Sequence, residues 1–252
     1  MSFDVSPGAY LRFMGRYSEP LAVLFADLAG ARGPRRALDV GCGPGALTAE
    51  LARRLGPGAV SAVDPSAPFA AAVRARCPGV AVGQARAERL PFAAGRFDIA
   101  AAQLVVHFMD SPVAGLSEMG RVTRRGGTVA ACVWDHAGGR GPLTAFWRAV
   151  RELDPGAADE SGLPGVREGH LAHLFRLAGL RVAADMALTV VTRYDTFDAW
   201  WQPFTLGVGP AGAYVASLDG ERREALRQRC RLGLGPPPVE ISATAWAVTA
   251  RR

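Results

Sequence analysis

The sequence predicts an α/β fold: a doubly wound, mostly parallel sheet of seven strands with an antiparallel edge hairpin and a helical cap. Three observations carry this expectation. The strand-like runs are short and continuously apolar rather than alternating, which suits strands buried on both faces. The first, second and fourth are followed by stretches of helical character, and the alternation implies parallel strands joined by right-handed crossovers. After Trp134 the rhythm changes, and a closing run alternates as an antiparallel strand does.

Taken in order, a lid helix spans residues 5–30. "RALDVG" (36–41) is the first strand, ending at a glycine, and "GALTAELARRLG" follows as a helix. "AVSAVD" (59–64) is the second strand, with helical "APFAAAVRARC" after it. "GVAVGQA" (79–85) is the third and "FDIAAAQLVV" (97–106) the fourth. "SPVAGLSEMGRVTRRGG" is a helix stopped at Gly126-Gly127, and "TVAACVW" (128–134) is the fifth strand. Beyond it, 142–153 and 167–179 read as helices around a turn-rich loop, "DPGAADESGLPG". "LTVVTRY" (188–194) is strand-like, "TFDAWWQPF" and "DGERREALRQRCRLG" are helical, and "VEISATAWAVTA" (239–250) is the last strand. The expectation is one domain over 1–252, with a core at 35–135 and cap insertions at 140–165 and 195–236.

The composition is that of a globular chain: 49% hydrophobic and 21% charged. No stretch reaches the roughly 18 apolar residues of a membrane span. The start "MSFDVSPG" carries an acid and no basic region, so a secretory signal is not expected and the protein reads as cytoplasmic. The net charge is +6, but all 29 basic residues are arginines and they are scattered, which is the mark of a GC-rich coding bias rather than of a nucleic-acid surface. Cys42, Cys77, Cys132 and Cys230 are far apart and show no metal spacing, so no metal site is expected.

The stretch "LDVGCGPGALTAEL" (38–51) places glycines at 41, 43 and 45 between a strand and a helix. Such a turn exposes backbone with no Cβ to shield it, beside helix N–H groups that have no intrahelical partner. A carboxylate, a phosphate or ribose hydroxyls suit that position. Asp64 closes the second strand, where an acid receives a ribose diol. A dinucleotide and S-adenosylmethionine both fit these residues.

Four blocks separate the two. "LDVGCGPG", "AVDPS", "AERLPFAAGRFD" and "EMGRVTRRGGTVAACVW" stand in the order and spacing of the class I S-adenosylmethionine-dependent methyltransferases, of the small-molecule group that includes the ubiquinone and menaquinone biosynthesis type. The chain resembles that family over residues 35–135, and "YLRFMGRYSEPL" resembles the lid helix of part of it. The resemblance implies a Rossmann-like methyltransferase fold, S-adenosylmethionine as cofactor and S-adenosylhomocysteine as product. It implies that Gly41, Cys42, Gly43 and Gly45 form the loop under the methionine part of the cofactor, and that Asp39 orients that loop or accepts from the ammonium. Asp64, with Pro65, would meet the ribose; Ala87 and Glu88 the adenine; Gln103 the methionine end. Arg16 would pair with the carboxylate, since a guanidinium fork matches it. Where many relatives carry an Asp to accept from the adenine amino group, this chain has Arg86, which cannot accept a hydrogen bond.

Methyl transfer from a sulfonium is an in-line displacement in which alignment and desolvation supply much of the catalysis, and a base is needed only for a protonated acceptor. The residues after the fourth strand, "QLVVHF", lack the Pro-Pro-aromatic run of amino-group DNA methyltransferases. No Pro-Cys pair and no Asn occur, which argues against cytosine C5 and metal-dependent catechol-type chemistry. The expected acceptor is therefore a small, apolar or aromatic molecule, not nucleic acid or membrane, and the protein a monomer or homodimer. His107 is the candidate base, and the other reading is a histidine packed beneath the lid. His136 is the second candidate. His170 and His173 lie three apart with no further ligands. Phe13, Tyr17, Trp200, Trp201 and Phe204 either wall the acceptor pocket or form cap core. A non-catalytic cofactor-binding protein stands as the alternative function.

Overall fold

The computed structural model describes residues 6–252. Val5, where the expected lid helix begins, lies with residues 1–4 outside the described residues. Seven strands form one sheet in the order β3-β2-β1-β4-β5-β7-β6. They are β1 (Ala37–Val40), β2 (Val60–Asp64), β3 (Ala81–Gln84), β4 (Phe97–Gln103), β5 (Thr123–Trp134), β6 (Arg181–Tyr194) and β7 (Val239–Arg251). β1 to β5 pair in parallel, and β7 runs antiparallel between β5 and β6. The doubly wound, mostly parallel sheet with an antiparallel edge hairpin is thus the observed architecture.

Successive strand residues point to opposite faces, as the pleat requires. Ile99, Ala101, Ala130, Cys132 and Ala245 pack on one face. Leu38, Ala100, Val129, Val133 and Val248 pack on the other. The second face is covered by α5 (Pro112–Val122) and α7 (His170–Leu177), through Leu116, Met119, Leu171 and Phe175. The first is covered by α2 (Arg16–Leu28) and α3 (Ala46–Leu55), through Leu21, Phe25, Leu47 and Leu51, and by residues of the cap. α4 (Ala67–Arg76) follows β2, with Ser66 as its N-cap and Pro68 in its first turn. α1 (Pro7–Tyr10) continues through a π-helical turn, Leu11–Gly15, into α2. The later segments hold α6 (Thr144–Leu153), α8 (Phe197–Trp201), α9 (Gly209–Ser217) and α10 (Gly220–Leu234).

Three boundaries depart from the sequence reading. β4 ends at Gln103, and a short 3-10 turn (Val106–Phe108) takes the expected strand end. β5 begins at Thr123 because Thr123 already pairs with Phe97; the register then shifts, so that Gly126-Gly127 sits in an irregularity of the strand and is not a helix stop. β6 begins at Arg181, seven residues before the apolar signal, since its partner β7 supplies the ladder all along it. Among the described residues, no helix is long and apolar enough to cross a membrane.

Candidate active site

The C-terminal ends of β1, β2 and β4 border a cavity of about 650 Å³. This is the crevice where an open α/β sheet places its ligand. The loop after β1 turns through three left-handed glycines, Gly41, Gly43 and Gly45, with φ of 70°, 51° and 93°. Gly41 is set by packing: a Cβ there would lie 2.4 Å from Val105 Cγ2. Gly43 is not, since beyond its chain neighbours no protein atom stands within 4 Å of where its Cβ would be, and Gly43 itself lines the cavity. The backbone N–H groups of Gly41 and Cys42 donate to the Val63 carbonyl at 2.8 and 3.0 Å, tying the loop to β2.

Asp64 joins two loops. Its Oδ2 accepts from Gly43 N at 2.8 Å, and its Oδ1 from Ser66 N at 2.8 Å. Burial raises its pKa, and those two N–H groups work against the rise. Asp39 is 1% exposed. Its Oδ2 accepts from Thr48 Oγ1 at 2.6 Å while Oδ1 has no partner. Burial pushes its pKa up to about 7, the Thr48 hydrogen bond opposing and Asp64 adding to the shift. Gln103 donates from Nε2 to the Ser18 carbonyl at 2.9 Å, leaving Oε1 buried and without a partner. Two orphaned acceptors, Asp39 Oδ1 and Gln103 Oε1, therefore belong to residues of one cavity beside the glycine loop. Leaving such atoms unpaired costs about 1–3 kcal/mol each, so they suit a ligand that donates. An ammonium does so.

Cys42, Pro65, Ala87 and Glu88 also line this cavity. Glu88 Oε1 accepts from Ser111 N at 3.2 Å. Arg86 lines it too, exposed and ion-paired with Asp110, with Glu88 Oε2 3.8 Å from its Nε. Asp110 is a cavity residue that the sequence did not single out. So are Tyr10, Phe108 and Leu104, whose φ of 60° is the one positive value among the described non-glycine residues. Nothing in the local pattern announces the loop 104–110.

Four expected site residues lie elsewhere. Arg16 is exposed, with its guanidinium 5.2 Å from the Tyr194 ring centroid, and does not line the cavity. Tyr17, Trp200 and Trp201 are buried in the apolar core and border neither this cavity nor the smaller one described next. Tyr17 OH accepts a hydrogen bond from Tyr194 OH at 2.9 Å. The π-helical turn accounts for the lid residues. It takes one residue more per turn than an α-helix, so positions beyond it are rotated relative to a regular helix.

His107 is 5% exposed and lies off the large cavity. It lines a second cavity of about 40 Å³, with Phe13, Trp134, His136 and Glu160; Tyr10, Leu104 and Phe108 are common to both cavities. His107 Nδ1 has no partner, and its ring centroid is 6.1 Å from that of His136. Burial drives the pKa of His107 well below its ordinary value, and His136 adds to the fall. Burial brings His136 down to about 4, against the pull of Asp159 and Asp135. Both imidazoles are uncharged at neutral pH. His170 stands apart, accepting from Gly165 N through Nδ1 at 3.2 Å, its ring 6.4 Å from that of His173.

The comparisons with known proteins bear on the fold and the domain. Residues 38–131 match the model of a methyltransferase domain. An uncharacterized Mycobacterium tuberculosis protein is 29% identical over 233 residues, 88% of this chain and 85% of its own length. A trans-aconitate 2-methyltransferase of Methylobacterium radiotolerans is 31% identical over 160 residues, 62% of this chain and 58% of its own. Among solved structures, a putative methyltransferase from Bacillus halodurans superposes with a TM-score of 0.60 at 18% identity, over 91% of this chain and 97% of its own, a likeness of fold alone. With the glycine loop, the acid closing β2 and the β3-β2-β1-β4-β5-β7-β6 sheet, these matches support a methyltransferase domain over residues 38–131, on the Rossmann-like fold of S-adenosylmethionine-dependent methyltransferases.

Proposed function

We propose that the protein methylates a small, apolar or aromatic acceptor held between the lid and the loop after β4. The observation that carries this reading is the pair of orphaned acceptors, Asp39 Oδ1 and Gln103 Oε1, beside a glycine loop that leaves space at Gly43. Bound in the 650 Å³ cavity, S-adenosylmethionine supplies a methyl group already activated on a sulfonium.

The chain's own residues then have these roles. Asp39 and Gln103 accept from the ammonium. Gly41, Cys42 and Gly43 form the floor of the methionine site, with Gly45 as the N-cap of α3. Asp64, already fixed by Gly43 and Ser66, presents its remaining lone pairs to the ribose diol, with Pro65 beside it. Ala87 and Glu88 flank the adenine. His107 is uncharged, so its imidazole can take a proton from an O–H or N–H acceptor. Phe13 and the other walls of the small cavity exclude water.

No arginine among the described residues lines that cavity, so an anionic acceptor finds no partner there. The substrate that names the Methylobacterium relative is therefore not carried over to this chain.

Calorimetric titration with S-adenosylmethionine, S-adenosylhomocysteine and NAD tests the reading. Micromolar binding of the two sulfur ligands and none of NAD is expected. Asp64→Ala should lose at least tenfold in affinity, about 1.4 kcal/mol. A protein that is folded by circular dichroism yet binds neither sulfur ligand would overturn the proposal.

A further inference from the structure

Glu160 has no part in the cofactor site. It opens a short 3-10 turn, Glu160–Gly162, in the connection between α6 and α7. It is 3% exposed, and its Oε2 has no hydrogen-bond partner. A carboxyl buried this way is costly unless something completes it.

The surroundings show what is missing. Glu160 lines the 40 Å³ cavity with His107 and His136, and no arginine among the described residues borders it. Both histidines are held uncharged by burial. The charged side chain that bears on Glu160 is its neighbour Asp159, which is itself paired with Arg151 at 2.7 Å. Burial, with a smaller contribution from Asp159, holds the Glu160 carboxyl up to about 7; its own backbone N–H and the Trp147 indole oppose the rise. The cavity has a built acid and no cation. Its other walls include the rings of Phe13, Trp134, Phe108 and Tyr10, whose faces favour a positive charge. At about 10–15 Å³ of such volume per water, it has room for a group the size of an aminomethyl head. Because it shares Tyr10, Leu104 and Phe108 with the cofactor cavity, a molecule seated there reaches toward the cofactor.

We propose that the small cavity receives a protonated amine on the methyl acceptor, with Glu160 as its counter-ion and the aromatic rings as its walls. Naming the ligand as the acceptor rests on the methyltransferase reading; the amine site itself does not. Binding an ammonium there ionises Glu160 and expels its proton to solvent. Glu160 thereby selects acceptors that carry an amine over neutral and anionic molecules of the same shape.

The test is calorimetry at pH 6 on protein saturated with S-adenosylhomocysteine, using benzylamine, benzyl alcohol and benzoate as probes. Two buffers of different ionisation enthalpy count the protons released. Benzylamine should bind at least tenfold more tightly than benzyl alcohol, and benzoate should not bind. Close to one proton should leave per amine bound, as a carboxyl titrating about one pH unit above the working pH requires. In Glu160→Gln, which keeps the shape and the uncharged state of the resting side chain, both the amine preference and the proton release should vanish, with S-adenosylhomocysteine affinity unchanged. Equal binding of amine and alcohol to the wild type, or proton release that survives in Glu160→Gln, would overturn the proposal. If S-adenosylhomocysteine does not bind, the methyltransferase reading fails, and the same amine titration on ligand-free protein still decides the role of Glu160.

Discussion

The two cavities that meet at Tyr10, Leu104 and Phe108 are built in opposite ways. The larger is built around a turn of bare backbone. Its glycine turn, the strand end at Asp64 and the helix start at Ser66 are bonded to one another within a stretch of about thirty residues. The smaller is made by side chains that converge from the lid, the loop after β4, the connection before α7 and the start of α9. A site made of backbone leaves its mark as a local motif, because glycine and a strand-ending acid are the residues such a turn tolerates. A site made of converging side chains leaves no local mark.

The comparison can be broken most forcefully in the cap. Trp200 is 2% exposed, its ring centroid 4.8 Å from that of Phe204, and it borders neither cavity. Trp200→Ala should destabilise the fold by about 3–5 kcal/mol, the range for a large aromatic removed from a core. Affinity for S-adenosylhomocysteine, measured below the melting transition, should stay within about threefold of wild type. A large loss of affinity at unchanged stability would return Trp200 to the pocket.

The glycine turn offers a sharper contrast within one loop. Gly41→Ala drives a methyl into Val105 at a left-handed position and should cost about 2–4 kcal/mol of stability by thermal denaturation. Gly43→Ala meets no protein atom and should cost about 1 kcal/mol. Its methyl enters the cavity instead, so S-adenosylhomocysteine affinity should fall at least tenfold. If Gly43→Ala binds normally, the loop does not approach the ligand there.

These two glycines also measure what was legible in the sequence. β1, β2, β4 and the second half of β5 are legible because they are buried on both faces and carry continuous apolar runs, whereas β3, at the sheet edge and exposed at Ala81 and Gln84, is marked only by its short apolar run. The first half of β6 is not: residues 181–187 lie at the sheet edge, are mostly exposed, and owe their strand to β7. On the site side, Asp39, Gly41, Gly43 and Asp64 line the larger cavity, while Gly45, the left-handed N-cap of α3, packs toward Val73 and does not line it. Arg16, Tyr17, Trp200 and Trp201 do not, since their placement depends on the phase of a helix with a π turn and on how the cap folds back. Glu160 sits in a turn-rich loop whose burial no periodicity announces, and Asp110 in an equally silent one.

Titration separates the two cavities by proton linkage. The folded pKa of Asp39, about 7, lies above its unfolded value near 3.8, so folding takes up a proton between these limits. Its contribution to stability is complete below about pH 4 and is lost as the pH rises through 7. Glu160 and Asp64 act with the same sign. His107 and His136, lowered by burial, act with the opposite sign below about pH 6.5. The wild-type curve alone therefore mixes both cavities, and the difference from Asp39→Asn isolates one. Relative to wild type, Asp39→Asn should gain on the order of 3 kcal/mol between pH 4 and pH 7.5 in the absence of ligand, since each pH unit between the unfolded and folded pKa values is worth about 1.4 kcal/mol. Melting curves of the two proteins across that range check it. An unchanged difference would mean that Asp39 keeps an ordinary carboxyl.

The smallest effect is expected where the sequence raised the most doubt. Arg86 replaces an acid that would accept from the adenine amino group, yet its guanidinium is paired with Asp110 and lies near Glu88, and all three residues line the cofactor cavity. Two carboxylates, Glu88 and Asp110, thus stand beside Arg86 on the cavity wall. The pair is more than half exposed on both sides, so its contribution to stability is within about 1 kcal/mol. Arg86→Ala should therefore leave the melting temperature nearly unchanged and S-adenosylhomocysteine affinity within about threefold of wild type. Asp110→Asn, which takes away the compensating charge, should weaken binding more than Arg86→Ala does. The reverse order, measured by calorimetry, would show that the guanidinium itself contacts the ligand, and that this corner of the backbone-built cavity is also defined by a side chain.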